Sequence, residues 1–347
     1  MRSQNPDFVD NLCHSLVGAA LSAAGFRRRT ALATATMVIG ANLPDVDAVV
    51  YFVGDNADGL ALRRGWTHGV LAMVVLPLIL TGIMLGIGRW LEYRKARAKR
   101  PENRIPLRVG GLLLVSALSI WSHSLFDLLN TYGVRLLMPF SGRWFYGDTL
   151  FIIDPWVWCA LGLGAAISII RARRVPVGAE SATVMARVHR PARFAITAVG
   201  VYIVIMAAAS RVGRVIVEQQ AVAAGRAPST RVMVAPEPLT PLVRSVVRDI
   251  GPTYETGTLT WWPLRYQVTG NPIPTLADTT GGAVVDAAST EAGRNFLVWA
   301  RFPFRDVTAS GDSVAIRLDD ARYGGPGRPS FASVTVVGLR APVRPPQ

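Results

Sequence analysis

Long uncharged runs constrain the fold of this chain more than any other sequence feature. Gly69 to Gly88 is a 20-residue stretch without a charge, and Val109 to Phe126 is an 18-residue stretch whose only ionisable residue is His123. About 20 apolar residues in a helix cross a hydrocarbon core of roughly 30 Å. Two shorter runs, 156–170 and 194–210, contain 15 and 17 uncharged residues. Four transmembrane helices are therefore predicted.

Composition agrees with this interpretation. Half of the 347 residues are hydrophobic and only 17% are charged, which excludes a disordered chain and a typical water-soluble enzyme. The two cysteines, Cys13 and Cys159, lie far apart in apolar runs, so a disulfide framework and a cysteine-ligated zinc ribbon are both excluded.

Two further apolar segments precede these runs. Residues 12–26 and 30–44 are 15 residues each, apolar apart from His14, and joined by three consecutive arginines. They form either two more short crossings or a helical hairpin that dips into the membrane. The total is thus four to six transmembrane helices in a mainly α membrane protein.

The distribution of basic residues predicts the topology. Segment 89–108 contains eight basic residues and segment 171–193 contains six, whereas segment 127–155 contains only Arg135 and Arg143. Short loops rich in Arg and Lys face the cytoplasm. Segment 127–155 and everything after residue 210 are therefore predicted on the non-cytoplasmic side of the inner (plasma) membrane. The formal charge of +14 is mostly a topology signal, and we expect no nucleic-acid partner.

The composition changes after residue 211, where Pro and Gly become frequent. Four β-rich runs follow, at 256–266, 295–302, 313–318 and 331–339. We predict a membrane-embedded helical domain over 1–210, a linker over 211–235, and a small β-rich non-cytoplasmic domain over 236–347. A Pro-rich joint at 235–238 and Pro241 would lead into the last of these.

Ionisable side chains converge at one end of the predicted helices. His14 opens the first helix, and His68 opens the third. Two carboxylates close the second, and His123 with Asp127 closes the fourth. The converging residues are His14, Asp45, Asp47, His68, His123 and Asp127. In an up-and-down bundle these ends share one face, and ionisable residues at membrane depth usually mark a functional site.

The spacing within these motifs suits a metal ion. His123 and Asp127 are four residues apart, hence on one face of a helix. Pro44 disfavours helix at Leu43, so Asp45 and Asp47 are predicted on a break where both could face the site. Imidazole and carboxylate ligands without thiolates favour zinc, manganese or iron, and we expect zinc. An open ligand position would lower the pKa of bound water to about 7.

Each element also has a purely structural explanation. An isolated His123/Asp127 pair could be a hydrogen bond that stabilises the helix, and the 42–45 motif could be a simple turn. Arg64 could hold a phosphate or carboxylate, or only flank the membrane. Asp148 and Asp154 could be ligands, caps or supports for the histidines. His189 is predicted to be a solvated loop residue.

The order of these motifs resembles the YdjM/YbcI-like family of membrane-bound metal-dependent hydrolases. The matching segments cover about residues 8–170: His14, 42–47 (NLPDVD), 64–69 (RGWTHG), 123–127 (HSLFD), 130–133 (NTYG), 139–141 (PFS) and 153–156 (IDPW). The resemblance implies a helical core distantly similar to the zinc-dependent phospholipase C superfamily. It also implies ligand positions at His14, Asp45, His68, His123 and Asp127.

These observations predict an integral membrane metal-dependent hydrolase that acts at the non-cytoplasmic face. Asp45 and Asp47 would divide between metal ligation and general-base catalysis, and Arg64 would neutralise charge on the substrate. Expected partners are membrane lipids and an amphiphilic or phosphate-containing substrate, such as a phospholipid or another lipid-linked phosphoester. The alternative is a non-catalytic transporter or receptor with a structural His/Asp metal cluster. A transporter should carry polar residues through the depth of several helices, whereas here they cluster at one end.

Overall fold

A computed structural model describes residues 7–53, 56–98, 105–176, 179, 181–276, 287–310 and 313–339. The chain forms two compact units. The helical unit comprises residues 6–47 and 64–208, and the C-terminal unit comprises residues 1–5, 48–63 and 209–347. Three residues of the first basic loop, Lys99, Arg100 and Arg104, lie outside the described residues.

The helical unit begins with a helical hairpin. Helix α1 spans Asp7–Ala23 and helix α2 spans Ala33–Gly40, with a short 3-10 turn at Phe26–Arg28 between them. Gly18 lets the two helices approach closely, because a Cβ atom there would lie 2.6 Å from the Met37 carbonyl oxygen. Helix α2 has eight residues, or about 12 Å of length, so it cannot cross a membrane. The segment 30–44 is therefore not a transmembrane crossing.

Helices α3 (Val50–Val53) and α4 (Asn56–Leu62) follow, both in the C-terminal unit. The next four helices are long and apolar enough to cross a membrane. They are α5 (Ala72–Arg97), α6 (Val109–Leu129), α7 (Pro155–Arg173) and α8 (Ala182–Ala223). Within their most apolar windows only 22–44% of the residues are buried, so apolar side chains cover much of their outer surface. The four predicted transmembrane helices are confirmed as candidate membrane spans by length and composition.

Local sequence explains where these helices begin and end. Asp154 caps α7, because its Oδ1 accepts hydrogen bonds from the backbone N–H groups of Trp156 and Val157, both at 3.1 Å. Pro155 occupies the first helical position, where its missing N–H is no loss. Helix α5 ends with three basic residues, Arg94, Lys95 and Arg97, which favour the negative end of the helix dipole.

The described residues of the C-terminal unit form two antiparallel sheets. The first has the order β1-β2-β3-β4, with β5 paired to β3. Its strands are β1 (Arg231–Glu237), β2 (Thr240–Asp249), β3 (Thr253–Trp261), β4 (Leu264–Val268) and β5 (Ile273–Pro274). Helix α9 (Glu291–Trp299) precedes the second sheet, β6-β7-β8. Those strands are β6 (Pro303–Ser310), β7 (Ser313–Asp320) and β8 (Val334–Leu339).

Apolar contacts connect these elements within the C-terminal unit. Val217 and Ala221, one turn apart near the end of α8, pack with Val234, Val246 and Leu259 of the first sheet. A second core cluster contains Met233 and Tyr254 of the first sheet with Phe302 and Phe304 at the start of the second. Helix α4 contacts α9 in the same unit, where Asn295 Nδ2 donates to Asp58 Oδ1 at 2.8 Å.

Three sequence predictions for this region need correction. The predicted linker 211–235 holds the last turns of α8 and most of β1. The Pro-rich joint at 235–238 is the turn region of the β1-β2 hairpin. The run 295–302, predicted as β-rich, is mostly helix α9, which Thr290 caps through a 3.0 Å hydrogen bond from the Gly293 N–H. The runs at 313–318 and 331–339 do contain strands, β7 and β8.

Candidate metal centre

Four segments of the helical unit bring the predicted site residues together. His14 lies on α1, and Asp45 and Asp47 lie on a 3-10 segment, Leu43–Val49, that follows α2. His68 follows Arg64 in the turn before α5, and His123 and Asp127 lie in the last two turns of α6. The predicted break at Pro44 is present as the 3-10 segment. His14 lies in the middle of α1 rather than at its start, because the helix begins at Asp7.

Asp45, His68, His123 and Asp127 form a compact group. Each offers one ligand atom, and these four atoms lie within 4.8 Å of one another. His68 Nε2 is 3.0 Å from His123 Nε2 and 3.0 Å from Asp127 Oδ2. Asp45 Oδ1 is 3.7 Å from His123 Nε2 and 3.9 Å from His68 Nε2. Ligand bonds of about 2.0–2.1 Å to a tetrahedral zinc ion imply separations of about 3.3 Å, so the group has the right dimensions.

Hydrogen bonds to the other ring nitrogens orient both histidines. His123 Nδ1 is 2.7 Å from the Ala41 carbonyl oxygen, which only accepts, so this nitrogen carries the proton. The Thr67 hydroxyl donates to Asp47 Oδ2 at 2.7 Å and is left to accept from His68 Nδ1 at 2.9 Å. Both rings therefore present an Nε2 lone pair to the group. Such a partner on the distal nitrogen is usual for histidines that bind a metal.

The chemistry of these side chains fits a bound metal ion. Two Nε2 lone pairs that face each other at 3.0 Å repel unless a proton or a cation lies near both. The Asp127 side chain is fully buried, and neither of its oxygens has a well-aligned hydrogen-bond donor among the described residues. Buried polar atoms left in this state are costly. A divalent cation would satisfy the two Nε2 atoms and Asp127 Oδ2 together.

His14 lies beside the group rather than within it. Its Nε2 is 3.4 Å from Asp127 Oδ1, and its ring stacks on His123 with a centroid distance of 3.8 Å. The two oxygens of Asp127 thus face different partners, since Oδ2 points to His68 and His123.

Arg64 holds Asp127 from the same side as His14. Its Nη2 is 3.1 Å from Asp127 Oδ1, and its Nη1 donates to Asn130 Oδ1 at 3.1 Å. The guanidinium also lies 4.7 Å from the centre of the Tyr132 ring. Arg64 has a φ of +51°, in the left-handed region that non-glycine residues rarely adopt. Asn130 also accepts from the Tyr132 and Gly133 N–H groups, which fixes the end of α6.

Asp47 braces the turn that carries His68. Its Oδ2 accepts from the Arg64 backbone N–H at 2.9 Å and from Thr67 at 2.7 Å, and lies 3.4 Å from His68 Nδ1. Burial alone would lower the pKa of His68, but its contacts with Asp127 and Asp47 raise that pKa to about 9. Without a cation, the carboxylates therefore favour a proton on His68, and a metal ion would take the place of that proton at Nε2.

For Asp154 the structure selects one of the predicted alternatives, and for His189 it corrects the prediction. Asp154 caps α7 and accepts from the Tyr202 hydroxyl at 3.0 Å, and neither Asp154 nor Asp148 belongs to the four-residue group. His189 is not solvated: its side chain is buried, and Nδ1 is 2.7 Å from the Ala23 carbonyl oxygen. The role of the Ala41 carbonyl could not be predicted from the sequence, because a backbone group has no sequence signal. The role of Thr67 was also missed, although it lies directly before His68.

Comparison with known families agrees with this arrangement. The sequence model of the YdjM inner membrane protein family matches residues 9–215, which is more than half of the chain. The chain belongs to the YdjM inner membrane protein family. The matched region contains every residue of the candidate metal centre, as well as the four candidate membrane helices up to residue 215. Family membership and the four candidate membrane helices together support a membrane protein.

This YdjM family member is similar to "Uncharacterized protein YfhP" of Bacillus subtilis (strain 168), with 27% identity over 130 residues. The alignment covers 37% of this chain and 35% of the relative, so the chain spans about a third of that protein's length. No solved structure gives a significant match.

Proposed function

We propose that this YdjM family member is a membrane-embedded metal-dependent hydrolase, with zinc as the favoured ion and manganese or iron as alternatives. The observation that carries the proposal is the group of Asp45, His68, His123 and Asp127, in which two oriented Nε2 atoms and a buried carboxylate converge. A bound divalent cation supplies a hydroxide nucleophile at neutral pH, because it lowers the pKa of coordinated water to about 7.

His68, His123 and Asp127 are the three ligands in this proposal. All three side chains are fully buried, and each is fixed by a neighbour: His68 by Thr67, His123 by the Ala41 carbonyl and Asp127 by Arg64. Three protein ligands with an open fourth position are typical of catalytic zinc sites. The helical core would then resemble that of zinc-dependent phospholipase C in chemistry.

Asp45 is the proposed general base. Its carboxylate is 8% exposed, whereas the three proposed ligands are fully buried, so it borders the open side of the group. In the hydrolytic step, the water oxygen bonds to the electrophilic centre and Asp45 accepts the water proton. The bond to the leaving group then breaks, and Asp45 returns the proton to that group. Asp47 supports the His68 turn instead, since its Oδ2 already accepts two hydrogen bonds.

Arg64 and His14 are positioning residues in this account. Arg64 contacts Asp127 and Asn130, and its side chain is only 3% exposed. It fixes the Asp127 carboxylate, which gives it a role different from the charge neutralisation predicted from sequence. His14 approaches the same Asp127 oxygen from α1.

The proposed substrate is amphiphilic. Trp66, two residues from both Arg64 and His68, is 60% exposed. Phe140, in the loop between α6 and α7, is 81% exposed. Exposed aromatic side chains next to membrane helices are typical of the membrane–water interface. A phospholipid or another lipid-linked phosphoester fits such a position. The loop charges support a non-cytoplasmic position for this face, and we propose the same side of the membrane for the C-terminal unit.

Hydrolysis assays on the purified full chain test the proposal. Zinc-loaded protein in detergent is assayed with a phospholipid, a soluble phosphodiester and a carboxyl ester. Asp45→Asn should retain zinc and lose activity by about 10²- to 10⁴-fold, as expected for removal of a general base. His123→Ala should lose both zinc and activity.

The outcomes distinguish the competing classes. Zinc bound at full stoichiometry without hydrolysis of any of the three substrates would contradict the hydrolase proposal and favour a non-catalytic metal protein. Activity that survives in Asp45→Asn would contradict only the proposal that Asp45 is the general base, and would leave the hydrolase proposal standing.

A further inference from the structure

A cavity lies in the helical unit at the C-terminal end of α1, whereas the metal centre lies beside the middle of that helix. It has a volume of about 520 Å³ and lies between the end of α1, the turn that follows it and the first part of α8. Cavities of this size are typical of small-molecule sites. Ala24, which follows the last residue of α1, is ten positions after His14, and ten positions of helix correspond to about 15 Å. The cavity is therefore a separate site.

Arg193 of α8 is fixed at the cavity wall. Its Nε donates to the Ala24 carbonyl oxygen at 2.8 Å. Gly25 has a φ of +126°, and a Cβ atom built on it would come 3.3 Å from Arg193 Nη2. The glycine thus allows the turn to pass close to the guanidinium. Arg29 lines the same cavity from the other side of that turn.

The cavity is strongly basic. Neither residues 11–44 nor residues 181–217 contain an Asp or Glu. Within the described part of the chain, no carboxylate forms an ion pair with Arg29 or Arg193. Two guanidinium groups without carboxylate partners favour an anionic ligand, and the planar Arg fork suits phosphate in particular.

Apart from Thr197, the side chains of the remaining walls are apolar. Leu21, Phe26 and Ile196 line the cavity. The surface of α8 continues this apolar character outward, since Phe194 is 74% exposed and Val204 is 68% exposed. In a membrane helix such side chains contact lipid tails. The ligand that matches both features has a phosphate group and hydrocarbon chains.

We propose that this cavity binds an anionic phospholipid, with the phosphate between Arg29 and Arg193 and the acyl chains along α8. The basic loops predict that this end of the bundle is cytoplasmic. Basic pockets between transmembrane helices on that side bind anionic lipid headgroups. The proposal does not depend on the hydrolase proposal, because it uses no residue of the metal centre.

The test measures lipid binding to the purified full chain by native mass spectrometry and by thermal stabilisation. The probes are dioleoyl phosphatidylglycerol, dioleoyl phosphatidylcholine and inorganic phosphate. Arg29→Gln and Arg193→Gln should each weaken phosphatidylglycerol binding about tenfold, the expected loss of one charge-assisted contact. Arg193→Gln also removes the hydrogen bond to the Ala24 carbonyl oxygen, so a binding loss in that variant alone could reflect a change in folding. Arg29→Gln leaves that hydrogen bond in place and is therefore the second variant.

Arg190→Gln is the matched control. Arg190 is exposed on the same helix as Arg193, and its substitution removes the same positive charge. Arg190 does not line the cavity. We expect it to retain phosphatidylglycerol affinity within a few-fold. Equal losses in all three variants would overturn the proposal in favour of general surface attraction. Equal binding of phosphatidylcholine, or equal stabilisation by inorganic phosphate, would also overturn it.

Discussion

Buried carboxylates occur in both units, but their surroundings differ. In the C-terminal unit, Asp320 accepts hydrogen bonds from Arg322 at 2.9 Å and from the backbone N–H groups of Arg301 and Phe302 at 2.6 and 3.1 Å. In the helical unit, Asp127 Oδ2 faces the Nε2 atoms of His68 and His123 at 3.0 and 3.5 Å. The first arrangement pairs donors with acceptors on both oxygens. The second brings acceptors together at Asp127 Oδ2, while Oδ1 faces Arg64 and His14.

This difference separates a structural group from a candidate binding site. Asp320 needs nothing further, because protein donors satisfy both of its oxygens. The acceptors around Asp127 need a positive charge between them, and the helices hold them in place at the cost of folding stability. Burial of an acid is therefore a weak indicator of function, and the nature of its partners is the stronger one.

Removal of the Asp320 charge should give the largest stability effect and leave the metal centre intact. Asp320→Asn leaves the Arg322 guanidinium buried without its counter-ion, which costs about 3–5 kcal/mol of unfolding free energy. Urea titration followed by tryptophan fluorescence measures the loss. Bound metal per folded chain should be unchanged. Loss of bound metal in the folded Asp320→Asn variant would contradict the conclusion that Asp320 is structural and independent of the metal centre.

Asp306→Asn provides the matched control for this experiment. Asp306 forms an ion pair with Arg317 at 2.7 Å, but its side chain is 24% exposed. The same substitution there should cost at most about 1 kcal/mol, because exposed ion pairs contribute little.

Removal of the hydroxyl that orients His68 should give an intermediate effect on metal binding. Thr67→Val keeps the side-chain shape but removes the bridge between His68 Nδ1 and Asp47 Oδ2. Loss of such an outer partner typically weakens metal binding about 10- to 100-fold. Competition with a zinc chelator of known affinity measures the change. Thr67→Ser, which keeps the hydroxyl, should bind as tightly as wild type; equal weakening in both variants would show that the hydroxyl is not responsible.

Acid should reduce the contribution of Asp320 to stability. Burial alone would raise its pKa, but the charge and hydrogen bonds of Arg322 and nearby backbone N–H groups hold that pKa below the usual 3.8. The stabilisation is therefore complete above about pH 3.8 and is lost as the pH falls through the lower folded-state value. The stability difference between wild type and Asp320→Asn should be constant from about pH 5 to pH 7 and shrink below about pH 3.8. A difference that shrinks at neutral pH would contradict this assignment.

The sequence was informative about the metal centre because its geometry follows from helix periodicity. His123 and Asp127 share a face at a spacing of four, and Pro44 predicts the break that carries Asp45. The Ala41 carbonyl that orients His123 could not be found in this way, because every residue has a carbonyl and only the packing of α2 against α6 selects this one.

The C-terminal unit was harder to predict because short elements carry weak signals. Pro236 and Pro241 suggested a joint, but they lie near the ends of β1 and β2, where a missing N–H is tolerated. The short apolar run after Asn295 fits a strand or a buried helix equally well. The Thr290 cap, which fixes α9 as a helix, was the overlooked signal.

Metal content of the purified full chain tests the central claim most directly. Elemental analysis compares wild type with His123→Ala, and size-exclusion chromatography confirms that both are folded. The account predicts stoichiometric zinc, manganese or iron in wild type and its loss in the folded variant. Wild-type protein that carries no metal, and that neither binds added zinc nor gains thermal stability from it, would contradict the account.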